Sequence, residues 1–324
     1  MTSWRPASGP QASARRATMM QRVREYFVSE DVLEVETPAL SRAAVSDTQI
    51  ESLSIADSAV SAQPLYLHTS PEFCMKRLLA AGYPDIYSIC RVYRDGEAGR
   101  RHQPEFTMIE WYRLGMNLGE IIDDTVKLIG KALGDSCFTH SPVVIDYYDA
   151  IRDVCGIDAH TAGLDLLAKA ANADSELRAA IGDEKDDWLD LLLATRVIPT
   201  FPVDRLTILR HYPATQAALA RVCPDSDDVA DRFEVFIGAI ELANGYVELT
   251  DAAEQKARIT RDNENRQRRG RPVRPVDEDL LAALDAGLPA CAGVAMGVER
   301  LQMVHDKTDD IRDVITFAFG PEYD

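Results

Sequence analysis

Tyr87–Tyr112, YSICRVYRDGEAGRRHQPEFTMIEWY, decides how this chain is read. Ile86, Ser88, Cys90 and Val92 alternate with Tyr87 and Ile89, the two-residue period of a buried strand. A loop follows that holds Arg91, Arg94, Arg100 and Arg101 and is punctuated by Gly96 and Gly99. Phe106 to Tyr112 is a second strand-like run. Strand, cationic loop and strand describe a hairpin whose loop can close over a polyanion. Guanidinium suits that work because its planar fork matches phosphate oxygens and its charge is permanent. An arbitrary basic loop is more often simply solvated, but the order of residue types after Arg94 is more particular than that.

A chain of 324 residues buries a large core and holds either one big domain with an insertion or two domains. No apolar run approaches the roughly 20 residues that span a bilayer. The opening MTSWRPASGPQASARR lacks the apolar centre of a signal peptide, so a cytoplasmic location without membrane contact is expected. The six cysteines (Cys74, Cys90, Cys137, Cys155, Cys223, Cys291) include no CxxC pair and fit reduced thiols better than a zinc site or a disulfide framework. Against 35 basic residues stand 53 acidic ones, a net charge of -18 that repels a nucleic-acid backbone and counts against tRNA as a partner.

Along the chain, residues 1–14 are rich in Pro, Ser, Ala and Gly and are expected to be disordered. A helix is expected from Arg15, with Met19, Met20, Val23 and Phe27 on one face. Val32 to Thr37 alternates as a strand and stops at Pro38. A strand over Leu65–Thr69, with His68 as a strand residue, enters Ser70-Pro71-Glu72, where proline and a first-turn acid suit a helix start. Between Gly115 and about Pro224 the runs from Leu118, Leu164 and Trp188 read as amphipathic helices of an insertion spanning about 116–224. Lys256 to Arg274 carries Arg258, Arg261, Arg266, Arg268, Arg269, Arg271 and Arg274. That run is expected to be a solvated helix face, and it is the best candidate for docking an acidic macromolecule.

A second constellation lies between Arg232 and Glu248. A tight turn centred at Ile237-Gly238 would set Glu234 and Glu241 directly opposite on adjacent strands, where two carboxylates repel by up to about 1 kcal/mol. A cation between them reverses the sign, and hard oxygen ligands suit Mg²⁺. Strand alternation puts Asn244 and Glu248 on one face and Glu241 on the other; a bulge at Asn244-Gly245 would gather all three.

Arg-His-x-Pro-Glu-Phe-Thr-Met-x-Glu, Arg101 to Glu110, closely resembles motif two of class II aminoacyl-tRNA synthetases of the lysine subgroup. Val32–Pro38 is similar to motif one, and Gly293-Val-Ala-Met-Gly-Val-Glu-Arg300-Leu to motif three. The resemblance covers about residues 15–324 and implies an α+β class II catalytic fold, an antiparallel β-sheet flanked by helices, that dimerises with a second copy around Pro38. It implies ATP bound by Arg94, Asp95, Gly96, His102, Gln103, Phe106, Glu241, Leu242, Gly297 and Arg300. Arg94 and Arg300 would be catalytic, Phe106 and Arg300 would lie on the two faces of the adenine, and Mg²⁺ would sit on Glu234 and Glu241. The substrate pocket implied is Ser70, Pro71, Glu72, Glu110, Tyr112, Asn244, Glu248 and Ala295, with Glu72 on the amino group and Glu248 on the distal ammonium. Such an acidic cluster makes chemical sense only for a dication.

In the motif-two loop the chain reads Arg94-Asp95-Gly96-Glu97 where the family commonly shows Arg-Asn-Glu, so a nucleotide-contacting carboxylate is lost or moved. Lysyl-tRNA synthetases carry an anticodon-binding barrel before motif one, and fewer than thirty residues precede that motif here. The chain therefore looks like a free-standing catalytic domain. More narrowly it looks like the synthetase paralogues that attach (R)-β-lysine to a lysine of elongation factor P, and Ala295, usually glycine in lysyl-tRNA synthetases, is consistent with a reshaped pocket. An ATP-dependent ligase acting through an aminoacyl-adenylate is expected. The alternatives are a truncated lysyl-tRNA synthetase that charges tRNA and a non-catalytic paralogue that binds nucleotide or amino acid.

Overall fold

The computed structural model describes residues 4–134, 138 and 141–319; Cys137 and the first three residues of the tail lie outside them. Its secondary structure follows the periodicities above, and the chain divides into two compact units, Met1–Asp135 with Val247–Asp324 and Ser136–Tyr246.

The first unit opens with α1 (Pro10–Ser29), which buries Met19, Val23 and Phe27 as the helical spacing requires. The helix starts earlier than Arg15 because Pro10 fits a first turn that needs no N–H donor. Ala12 is buried and the Ala7 N–H donates to the Thr316 carbonyl, so the described part of the 1–14 stretch is ordered, against expectation. The strand expected over Val32–Thr37 shrinks to β1 (Leu33–Glu34), followed by a small sheet of β2 (Leu40–Ser41), β3 (Ser54–Ile55) and β4 (Leu65–Leu67). After α2 (Glu72–Ala80), β5 (Ile86–Tyr93) and β6 (Glu105–Leu114) form the expected hairpin, in register from Ile86 opposite Tyr112 to Tyr93 opposite Glu105. Next comes α3 (Leu118–Leu133), closed at its start by a capping box: Asn117 Oδ1 accepts the Glu120 N–H and Glu120 Oε2 accepts the Asn117 N–H.

The second unit contains β7 (Val143–Asp146), α4 (Tyr147–Cys155), α5 (Leu164–Ala170), α6 (Ser175–Ile181), α7 (Lys185–Leu192), β8 (Leu206–Arg210), β9 (Arg232–Ile237) and β10 (Ile240–Val247). β7 runs parallel to β8, while β8, β9 and β10 are antiparallel neighbours. Tyr147, Trp188, Leu192 and Phe236 centre its core. This unit holds strands as well as helices, and α3 belongs to the first unit.

The first unit resumes with α8 (Ala252–Arg268), α9 (Glu278–Gly287), β11 (Cys291–Gly297) and α10 (Val298–Asp306). β11 lies antiparallel to β6, Cys291 opposite Leu114 through Gly297 opposite Met108, and the strand order is β1-β5-β6-β11. The architecture is α+β, strands flanked by helices, as expected. No helix among the described residues is long and apolar enough to cross a membrane. Burial pushes the Cys90 thiol up to about 12 and raises Cys74, Cys155, Cys223 and Cys291 as well, which keeps all five protonated and weakly reactive.

The arginine run after Lys256 corrects another expectation. Arg258 and Arg266 are buried, and Arg266 donates to the carbonyls of Pro272 and Asp47, each at 2.9 Å, and to the Glu51 carboxylate. Arg274 also binds Glu51, while Arg261, Arg268, Arg269 and Arg271 are exposed. Arg266 and Arg274 are therefore internal mortar for the Asp47–Glu51 loop, Arg258 pairs with Glu254 on its own helix, and the other four of the seven arginines are exposed.

A buried polar knot ties α1 and α3 to β6. Asp124 accepts from Tyr26 Oη at 2.6 Å and Trp111 Nε1 at 2.9 Å, with the buried Arg113 guanidinium 3.9 Å away. Removing the acid strips the carboxylate acceptor from two buried donors and a counter-charge from Arg113. Asp124→Ala is expected to lower the unfolding free energy by about 3 kcal/mol in a urea titration; a loss near zero would mean that water reaches the site.

Candidate active site

Ser70-Pro71-Glu72 starts α2 as its composition dictates. Ser70 Oγ accepts the Glu72 N–H at 3.0 Å, and Pro71 needs no partner for a missing donor. The same hydroxyl donates to Glu110 Oε2 at 2.6 Å, and Tyr112 Oη donates to Glu110 Oε1 at 2.7 Å. Glu110 and Tyr112 share a face of β6 by strand alternation, opposite Ala295 and Gly293 on β11. Glu248, just beyond β10, joins them: Lys76 Nζ stands 2.5 Å from Glu248 Oε2 and 2.7 Å from Glu72 Oε1. Glu110, Tyr112, Glu248 and Lys76 are all buried. Glu72, Glu110 and Glu248 are thus gathered into one group, as the dication reading requires.

Electrostatics follow from that crowding. Burial, reinforced by the Glu72 charge, pushes the Glu110 carboxyl up to about 8. Burial also raises Glu248 to about 8, although Lys76 pulls the other way. The two acids titrate as an interacting set. Glu248 Oε1 has no hydrogen-bond donor among the described residues, an orphaned buried acceptor aimed where a ligand's ammonium would bind. A methyl group at Gly293 would sit 2.5 Å from both Glu248 Oε1 and Tyr112 Cε1, so only glycine lets these side chains meet over β11.

The polyanion-binding elements also converge. Arg94 follows β5, its guanidinium 5.2 Å from the Phe106 ring centroid and 3.6 Å from Glu97 Oε1, while its Nε is buried without a hydrogen-bond acceptor. Arg300 on α10 meets His102 of the motif-two loop, Nη2 to Nε2 2.6 Å, across 198 residues of sequence. Gly297 is the N-cap of α10, opposite Met108. Glu299 fixes that helix: its Oε2 accepts the Thr107 N–H at 3.0 Å and its Oε1 accepts Arg16 Nη2 at 2.9 Å. Gln103 is buried, its Oε1 accepting the Phe319 N–H at 2.6 Å and its Nε2 lacking an acceptor. Asp95 and Gly96 are exposed, with Gly96 at φ +76°, a left-handed turn conformation that favours glycine. Glu97 takes Arg94 as its ion-pair partner, which is where the displaced carboxylate of this loop goes. The loop is tied down by the Ile311 N–H on the Arg100 carbonyl at 2.9 Å and by Arg100 on Asp309, also 2.9 Å.

In the second unit the register corrects the expected opposition of glutamates. Glu234 pairs with Asn244, and Glu241 pairs with Phe236. A bulge lies at Leu242, between Glu241 and Ala243, not at Asn244-Gly245. The extra residue flips the alternation, so Glu241 and Asn244 come to the same face as Glu234, and the two glutamates are diagonal neighbours. Glu234 is mostly buried, and burial raises its pKa, opposed by Arg232 at 2.6 Å and assisted by Glu241. Two hard carboxylates on one face, one of them already crowded by the other, fit a Mg²⁺ that takes one or two protein oxygens. Leu242 is buried, so only its backbone is available to a ligand. Arg232 also donates to Asn244 Oδ1 at 3.3 Å.

Sequence reasoning missed Lys76, Gly293 and Glu299 with Arg16. Lys76 stands four residues after Glu72, a helix-pair spacing visible in the sequence; its second partner, Glu248, is not. His68, without a partner in sequence, faces the Arg91 carbonyl at 2.7 Å, and burial lowers its pKa.

Over residues 6–320 the chain matches the family model for tRNA synthetases class II (D, K and N). An elongation factor P–(R)-β-lysine ligase of Sodalis glossinidius (strain morsitans) is 42% identical over 321 residues, covering 98% of this chain and 97% of that protein. Proteins of the same name from Klebsiella pneumoniae (strain 342) and Pectobacterium atrosepticum are 41% and 40% identical; the alignments cover 98% of this chain and 97% and 98% of those proteins. With motifs, sheet register and a match across nearly the whole sequence in agreement, the chain belongs to the class II tRNA synthetases of the D, K and N type.

Proposed function

We propose that this protein is an ATP-dependent ligase that activates (R)-β-lysine as an adenylate and transfers it to a lysine side chain of elongation factor P. The observation that carries the reading is the buried group of Glu72, Glu110 and Glu248, whose surplus negative charge calls for a small molecule with two ammonium groups. The names of the full-length relatives supply the acceptor. The acidic chain, at -18, favours a protein acceptor over tRNA.

In the first step the amino-acid carboxylate attacks the α-phosphorus of ATP and pyrophosphate leaves. An ionised carboxylate needs no general base, so the work is alignment and charge neutralisation. Arg94, with its unsatisfied Nε, and Arg300, braced by Glu299 through α10, take the phosphate charge. Phe106 offers its ring to the adenine. Glu241 with Glu234 would hold Mg²⁺, whose charge would supply further neutralisation of phosphate. Glu72 receives the amino group near the reacting carboxylate, and Glu248, with Tyr112 and Glu110 beside it, receives the distal ammonium. In the second step the neutral acceptor amine attacks the carbonyl carbon and AMP leaves. A second copy of the chain is the proposed partner at the motif-one edge, where Val28, Leu33 and Leu40 expose apolar side chains.

Pyrophosphate exchange tests the reading. Exchange should depend on (R)-β-lysine or a related diamino acid and fail with a monoamino analogue, and label should pass to elongation factor P; transfer to tRNA instead would sink the proposed acceptor. Arg300→Ala should slow exchange about a hundredfold or more without loss of fold. Gly293→Ala should raise KM for the amino acid roughly tenfold, equivalent to about 1.4 kcal/mol, and leave KM for ATP unchanged; equal effects on both would place Gly293 outside the amino-acid pocket. Because Glu110 and Glu248 titrate near 8 when the pocket is free and a dication favours their ionised forms, binding releases protons. The kcat/KM for the diamino acid should therefore rise with pH up to about 8 and then level off; a decline across that range would contradict the charge assignment.

A further inference from the structure

Lys76 is a cation already inside a pocket built for cations. Its side chain is 2% exposed, its ammonium lies between Glu72 and Glu248, and it projects from the helix that carries Glu72. Desolvated charges of this kind destabilise a fold by several kcal/mol each unless they are paired. Among the described residues, the charged and titratable groups that act on it include Glu72 on its own helix, Glu248 beyond β10, Glu110 on β6, with Tyr112 bonded to Glu110, and Cys291 on β11. Three carboxylates, once ionised, leave two negative charges against one ammonium, and Glu248 Oε1 has no donor among the described residues.

We propose that Lys76 is a positioning residue that sets the charge the pocket accepts: it draws Glu72 and Glu248 together around one fixed cation and leaves room for two substrate ammonium groups. The inference rests on the diamino-acid reading above. Burial alone would lower the Lys76 pKa, but the Glu248 and Glu72 charges outweigh it and raise it above the ordinary lysine range. That keeps the amine from acting as a nucleophile, so Lys76 serves as a fixed counter-ion.

A neutral side chain at this position changes the proton balance. With Lys76→Met the carboxylates lose the cation that draws the Glu248 pKa down, so the free pocket keeps its protons to higher pH and a dication must displace them. Affinity of the variant for β-lysine should then lie below wild type near neutral pH and keep rising past pH 8, where the wild type levels off, by up to about tenfold per pH unit for each proton released. Lys76→Arg should restore the wild-type plateau. Calorimetric binding of β-lysine at several pH values reads this directly. A purely structural ion pair predicts a lower melting temperature for Lys76→Met with the pH profile of binding unchanged, and that result would overturn the proposal. Should Lys76→Met fail to fold, nitrogen NMR of the wild-type Lys76 Nζ decides: an ammonium in both free and β-lysine-bound protein is expected, and a neutral amine in the complex would refute it. Wild-type protein that binds β-lysine with the expected pH trend but catalyses no exchange would overturn the adenylation step alone. Absence of β-lysine binding would overturn both readings.

Discussion

The expense of keeping carboxylates ionised away from water governs the amino-acid end of this protein. Glu110 and Glu248 sit almost fully out of solvent with Glu72 beside them, and burial, reinforced by the neighbouring charges, raises the affinity of Glu110 and Glu248 for protons. The surrounding structure is arranged to contain that field. Ser70 and Tyr112 donate to Glu110, Lys76 pairs with Glu72 one helical turn back and with Glu248 beyond β10, and a strand stripped to Ala295 and Gly293 leaves space for the carboxylates and the Tyr112 ring. Packing and charge are not separable here, because the bare β11 face is what permits the close approach and the close approach is what makes the group acidic enough to select a dication.

At the phosphate end the logic is inverted. Arg94 and Arg300 come from distant segments and carry permanent charge, so burial cannot neutralise them as it does acids. The fold instead limits their movement. Glu299 pins α10 to the Thr107 amide and to Arg16, and Glu97 and the Phe106 ring hold Arg94 beside the hairpin. The arginines farther along the chain show the contrast: Arg113 and Arg266 are spent on Asp124 and Glu51 inside the structure, where they join elements and are not available to a ligand.

Much of this was legible in the sequence because it rests on local order of residue types. The hairpin from Ile86 to Leu114, the Ser70-Pro71-Glu72 helix start and the Gly297–Arg300 turn into α10 follow from period, proline chemistry and glycine placement. What escaped depends on information a linear reading lacks. A single extra residue at Leu242 reversed the facing of Glu241, since side-chain parity in a strand changes with each inserted residue. The burial of Arg266 depends on a Glu51 contact 215 positions away, and the Lys76–Glu248 pair spans two elements with no shared motif. The inward turn of Arg266 and Arg274 and the anchoring of Ala7 have one reason: composition reports average tendency, while a specific partner, Glu51 or the Thr316 carbonyl, decides the individual case.

The fastening of the motif-two loop to residues 309–319 has an entropic consequence. A free loop of this length would surrender its backbone freedom when nucleotide arrives, and each residue immobilised then would subtract about 1 kcal/mol or more from affinity. With the Arg100 carbonyl and Gln103 already bonded to Ile311 and Phe319, that ordering is completed during folding, before any ligand is met. The distant C-terminal segment thereby acts as a splint: it touches no proposed substrate atom, yet it governs how rigid the nucleotide's landing place is.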